Sequence, residues 1–231
     1  FIHRLKAVMP EASSSDVRAK LAVGDPLSDQ LAEPVLAYIK KRGLYGLERL
    51  ARLRELVNAG RYEHSRGVAR LARALAQRWG QDEERALAAG VLHDCGRSVP
   101  VPRMAAYARR HRLAIPERER TGQLQPLALH AHISEHIAKK RFGIDDPAVL
   151  SAIRKHTLAD IRMSELDKIL YVADACSEDR SYPEAAALRE AAFEDLEDAF
   201  KGCLRNKLRY CVEEGGWVHP LTLTVWNSLT K

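Results

Sequence analysis

The order of apolar and polar positions reads as helix almost from end to end. Across Tyr62 to Trp79, His64, Val68, Leu71 and Leu75 recur at three- and four-residue spacing, which places them on one face of a helix that stops at Gly80. Asp82 caps a second helix that runs into Val91-Leu92-His93-Asp94-Cys95-Gly96. The segment Ser98 to Pro102 is a forced break, since two prolines two positions apart cannot sit inside a helix. A helix around Met104 to Arg112 and a polar loop from Ile115 to Gln125 are expected next. Further helices are predicted at about 126–142, 146–156, 164–176, 184–190 and 192–214. Asp145 before Asp146-Pro147 supplies one start signal, and Ser164 with Asp167 resembles a capping box. No strand alternation of useful length and no internal repeat appears, so the fold class is all-α, a helical bundle.

The first stretch differs. Ala12 to Leu27 reads as a Ser-rich turn, a short helix from Asp16 and a Gly-Asp-Pro break. Ala32 to Gly46 reads as one helix opened by Pro34 and closed by Gly43. Alone this stretch buries little apolar surface, so 1–46 is a docked arm or remnant and 47–231 the main domain.

Composition agrees with a globular helical chain: 231 residues, 46% hydrophobic, 29% charged and 6% aromatic, dominated by Ala, Leu and Arg. The net charge is +6 and the pI about 9.2. Basic residues are interleaved with acids, and only short clusters such as Arg109–Arg110 and Lys139–Arg141 occur, so the pattern does not point to nucleic acid. A basic surface also suits an anionic small molecule. The four cysteines lack CxxC spacing, and no apolar run approaches the roughly 20 residues of a membrane span. The expectation is reduced thiols and a cytoplasmic location.

Several ionisable residues stand where apolar ones belong. His64 heads a stripe of Val and Leu; His93 and Asp94 end an Ala-rich helix; Asp174 lies within Ile169 to Cys176; His130 and His156 also lie on helices. A lone His on such a face is more often a hydrogen-bonded core residue than a ligand. The set is harder to explain that way, because a buried Asp is costly unless paired or bound to a cation. The adjacent His-Asp pair diverges by about 100° around a helix, and imidazole with carboxylate suits iron, manganese or zinc.

His64, the pair His93–Asp94 and Asp174 in Val172-Ala173-Asp174 match the H…HD…D pattern. The chain is identified as a member of the HD-domain phosphohydrolase superfamily. Within it the chain resembles the branch of YqeK-like symmetrical diadenosine tetraphosphate hydrolases through Arg61 to Ala72, Leu127 to Ile144, Met163 to Asp174 and Gly215 to Thr222. The resemblance implies an all-helical HD bundle holding one or two metal ions, iron first and manganese or another divalent metal as alternatives. It implies cleavage of diadenosine tetraphosphate into two ADP by metal-activated water. By position, His64, His93, Asp94 and Asp174 would bind metal, and His130 and His156 would bind nucleotide or a second metal. Arg61, Arg97, Arg180 and the segment Trp217, Val218, His219, Pro220, Leu221 and Thr222 would line the nucleotide site. Asp94, Arg97, His130 and His156 would act on the reacting groups: Asp94 orients water, Arg97 and Arg180 neutralise phosphate, and the two histidines protonate or stabilise the leaving group. Trp217 would stack on adenine.

Departures from that family fall on the substrate side. Arg97 stands where Lys is usual, Lys155 for Tyr, Ala159 for Gly, and Ala175-Cys176-Ser177-Glu178 for Tyr-Ile-Glu-Pro. Another nucleotide substrate is therefore an alternative, as is a nucleotide-sensing module fused to NAD-synthesis machinery. Ser13 to Arg18 and Pro34 to Gly46 resemble the last motifs of bacterial nicotinate mononucleotide adenylyltransferases. The arm would then be the tail of such a domain joined upstream. Expected partners are the dinucleoside polyphosphate, that fused domain and a second copy in a homodimer, without membrane or nucleic acid.

Overall fold

A computed structural model describes residues 13–27 and 30–230. Residues 1–12, which include Ala12 and most of the amino-terminal part of the arm, lie outside the described residues. Among those described there are thirteen α-helices and no strand. They are α1 Ser14–Val23, α2 Glu33–Arg42, α3 Leu47–Leu56, α4 Ala59–Arg78, α5 Glu83–Leu92, α6 Val101–Arg110 and α7 Arg118–Leu124. There follow α8 His130–Phe142, α9 Pro147–Lys155, α10 Glu165–Cys176, α11 Ala185–Ala191, α12 Leu196–Glu213 and α13 Pro220–Leu229. No described helix is long and apolar enough to cross a membrane.

The helix starts follow their sequence signals. Asp82 accepts from the amides of Glu84 and Arg85, and Ser164 with Asp167 forms the full capping box. At α9 the cap is Asp146, with Pro147 at the first helical position.

The core is laid around α10, whose residues Ile169 to Ala173 are all buried and which packs on α4, α5, α9 and α12. Two glycines set how closely the site-bearing elements approach. A Cβ on Gly90 would lie 2.5 Å from Ala69 Cα, so α5 rests directly on the α4 backbone. A Cβ on Gly96 would lie 2.5 Å from the His130 carbonyl oxygen, and the Gly96 amide donates to Ser134 Oγ at 2.8 Å. The turn after Asp94 is thereby pinned against the first turns of α8.

The arm is docked through both apolar and ionic contacts. Ala19 and Val23 enter the main core, while Val17, Leu21 and Ile39 form a small cluster of their own. Asp25 receives hydrogen bonds from Arg66 at 3.0 Å and Arg70 at 2.5 Å. Arg73 bridges Asp16 and Glu83 at 2.6 and 2.7 Å.

Three expectations need correction. The segment Ile115 to Gln125 is not all loop, since it contains α7. Only Thr121 of that helix is buried, so no apolar periodicity announces it. The break at the two prolines ends sooner than expected, because Pro102 sits in the first turn of α6, where its missing N–H costs nothing. The predicted helices end at 214, whereas Pro220–Leu229 forms α13, which His219 caps with its Nδ1, accepting from the Leu221 amide at 3.1 Å.

Candidate metal centre

Five helical segments bring the candidate residues together. His64 lies on α4, His93 and His156 directly follow α5 and α9, His130 opens α8 after a 3-10 turn, and Asp174 lies on α10. His64, His93, Asp94, His130 and His156 are buried, and the Asp174 side chain is 15% exposed. His64 Nε2 stands 3.1 Å and His93 Nε2 3.6 Å from Asp174 Oδ1. On the other side, His93 Nε2 is 3.8 Å from Asp94 Oδ2, and His130 Nε2 is 3.1 Å from Asp94 Oδ1. Three overlapping groups have donor atoms close enough to share an ion: His64–His93–Asp94, His93–His156–Asp174 and Asp94–His130–His156.

The ring orientations are set from behind. His93, His130 and His156 each donate Nδ1–H to the carbonyl three residues earlier, at 2.8, 2.7 and 2.7 Å (Gly90, Leu127 and Ile153). Each of these histidines follows the end of a helical turn, where carbonyls run out of amide partners. His64 donates Nδ1–H instead to the Asp179 carboxylate at 2.8 Å. With Nδ1 committed, all four Nε2 lone pairs face inward. His93 Nε2 has no hydrogen-bond partner, and His130 and His156 oppose their Nε2 atoms at 2.9 Å. Inward lone pairs and two carboxylates repel one another unless a cation or protons stand between them. The donor set, nitrogen and oxygen without thiolate, fits a divalent transition metal.

Charge is shared accordingly. Burial alone would raise the Asp94 carboxyl, but His93, His130 and His156 outweigh it and hold Asp94 well below the ordinary carboxylate range. Asp174 is lowered in the same way, against its burial, by His64, His93 and Arg180. Burial, with His130 and His93 alongside, pushes His156 well down, so it stays neutral. Two arginines also touch the carboxylates: Arg61 reaches Asp94 Oδ2 and Arg180 reaches Asp174 Oδ1, each at 2.6 Å.

Next to the cluster lies a cavity of about 440 Å³. Its lining includes the polar side chains of Arg97, His130, Asp174, Arg180 and Lys207 and the less polar Leu208, Tyr210, Trp217 and Val218. Burial lowers the Arg97 pKa, although Asp94 acts to raise it. Among the expected nucleotide-site residues, Trp217, Val218, His219 and Thr222 reach the cavity, whereas Pro220 and Leu221 do not. Arg61 stands outside it, against Asp94, and His156 lies behind His130. One face of Trp217 carries the Arg120 guanidinium, 5.3 Å from the ring centroid. A second cavity of about 460 Å³ opens between α1 and α5, lined by none of the candidate site residues. Its Arg18 and Arg73 are paired with Glu84 and Glu83.

The sequence reading passed over three residues here. Asp179 orients His64, Thr157 Oγ1 lies 3.1 Å from His130 Nε2, and Lys207 faces the cavity from α12. Asp179 carried a faint signal, an acid closely following the Asp174 segment; the other two carried none. At the family departures, Lys155 donates to Asp167 at 2.7 Å and to the Arg162 carbonyl at 2.5 Å, and Ala159 adopts a φ of 60°.

The HD-domain family model matches residues 61–179, more than half of the chain, and the chain belongs to that family. Within it, the relatives separate by name. A Bacillus subtilis protein named symmetrical bis(5'-nucleosyl)-tetraphosphatase is 29% identical over 184 residues, 80% of this chain and 97% of the relative. A Mycoplasma genitalium protein named probable nicotinate-nucleotide adenylyltransferase/Ap4A hydrolase is 28% identical over 165 residues, 71% of this chain but 45% of that protein. A crystal structure from Clostridium acetobutylicum, described as a predicted HD superfamily hydrolase involved in NAD metabolism, superposes with a TM-score of 0.73. It is 32% identical and covers 78% of this chain and 94% of its own.

Proposed function

We propose that this chain hydrolyses diadenosine tetraphosphate symmetrically, to two ADP, with one or two divalent ions, iron foremost, held by its buried histidines and aspartates. One observation carries the reading: inward-facing Nε2 atoms and two carboxylates adjoin a cavity whose wall also carries two guanidinium groups and an aromatic side chain. His64, His93, Asp94 and Asp174 hold the first ion, and His130 with His156 offers donors for another. A cation there supplies Lewis acidity and activates water for attack on phosphorus.

The remaining work falls to the side chains. Arg97 and Arg180 take the phosphate oxygens, offsetting charge as the bond to the incoming water oxygen forms and the central bridging bond breaks. Asp94 orients the water. With a single ion bound, His130, on the cavity wall, takes on its free Nε2 the proton released by the attacking water and passes it to the departing ADP oxygen, while His156 behind it fixes its position. Trp217 offers its remaining face to adenine. The arm, residues 1–46, is the tail of an adenylyltransferase-like domain, a reading supported by the Mycoplasma relative's name and its greater length.

Product analysis by chromatography, alongside elemental analysis of the purified protein, tests this. ADP as sole product from protein containing transition metal is expected. AMP with ATP, or metal-loaded protein silent toward every dinucleotide, would overturn it.

A further inference from the structure

Lys207 is the one cation on the cavity wall that neither the motif pattern nor the ion-pair network accounts for. Its ammonium is held 2.9 Å from the Thr157 carbonyl and 3.5 Å from the His156 carbonyl, and 4.4 Å from the Tyr171 ring centroid. No carboxylate lies within 4.0 Å of it among the described residues, whereas Arg180 beside it is paired with Asp174. An ammonium has three protons, and the two carbonyls take two of them, one at long range. A neutral amide could hold those carbonyls without the cost of sequestering a charge. What a neutral amide lacks is the net positive charge that adds long-range attraction for an anion.

The rest of α12 gives that anion its orientation. Lys207 and Leu208, then Tyr210 and Cys211 one turn further on, all face the same cavity, so one helix presents a charged head near the metal centre and apolar surface beyond it. Arg97, also on the cavity wall, likewise has a side chain without a hydrogen-bond partner among the described residues.

We infer that Lys207 binds the substrate's phosphate chain directly, donating its free N–H to a phosphate oxygen between Arg97 and Arg180. The inference rests on the phosphate-binding reading of the cavity given above. It makes α12 a ruler for one nucleoside diphosphate half, with phosphate at Lys207 and the nucleoside toward Tyr210 and Trp217.

Isothermal titration of ADP and of adenosine into the purified protein tests this apart from turnover. Lys207→Met is expected to weaken ADP binding about tenfold to a hundredfold, the loss of one charge-assisted hydrogen bond, and to leave adenosine binding unchanged. Lys207→Arg is expected to restore ADP binding to within a few-fold of the parent. Should Lys207→Met fail to fold, Lys207→Gln, which keeps donors for the two carbonyls, is expected to show the same selective loss. ADP affinity unaltered in the neutral variants, an equal loss for adenosine, or no ADP binding by the parent would overturn the assignment. A parent that binds ADP through Lys207 yet cleaves no dinucleotide supports the assignment and removes only the proposed substrate.

Discussion

Asp174→Ala separates metal binding from folding at this centre. The substitution removes the oxygen on which His64 Nε2, His93 Nε2 and Arg180 converge, at 3.1, 3.6 and 2.6 Å. Structural four-ligand zinc sites contribute about 10–16 kcal/mol, and an equal share on that scale is about 3 kcal/mol per ligand. That corresponds to roughly a hundredfold weaker metal binding or more. The loss of fold stability is expected to be smaller. Stranding a buried charge costs about 3–5 kcal/mol, but the charge left here is Arg180, 38% exposed and free to turn outward. His64 and His93 keep their Nδ1 anchors at Asp179 and Gly90. A cost of about 1–2 kcal/mol follows, lowering the Tm of a chain this size by about 2–8 °C. Elemental analysis, circular dichroism with thermal melting, and turnover of the tetraphosphate read the three quantities. The variant is expected to be helical, metal-poor and inactive. Full metal content with full activity would refute the ligand assignment, and a collapsed helical spectrum would refute the claim that the site is separable from the core.

Other perturbations probe different links. Chelation is expected to abolish turnover and lower the Tm, with both restored by added divalent metal; a bound ion at about a hundred times its dissociation constant stabilises by about 2.7 kcal/mol. Gly90→Ala forces a Cβ to within 2.5 Å of the α4 backbone, so a loss of about 3 kcal/mol or more is expected in denaturant titration. Asp25→Asn is expected to cost about 1–2 kcal/mol at pH 7 by loosening the arm. Burial of Asp25 acts to raise its pKa, but Arg70 and Arg66 prevail and lower it. Its contribution is thus present above the ordinary carboxylate pKa and fades as pH falls through the depressed one, so parent and variant should converge in acid.

What could be read in the chain depended on whether a residue's role left a mark on periodicity. His64, His93 and Asp174 were conspicuous because each interrupts an apolar stripe, and in the structure they do converge. The all-helical class was equally legible, since caps at Asp82 and Ser164 coincided with the start of apolar periods. α7 escaped because it turns almost no apolar surface inward, and its Arg and Glu residues read as loop. Lys207 escaped for the opposite reason: α12 carries several lysines and arginines, and nothing local separates the one at the cavity from its solvated neighbours. Asp179 lies in an irregular turn after α10, so its partnership with His64, 115 residues away, exists only in three dimensions.

The anchoring of the imidazoles from behind bears on how such a centre could change over time. Three of the four rings are tethered to main-chain oxygens at helix ends, and replacing neighbouring side chains leaves those tethers in place. The walls of the cavity can therefore drift toward other anionic ligands while the ring orientations persist. His64, tethered to a replaceable carboxylate, is the single point at which that orientation is open to mutation.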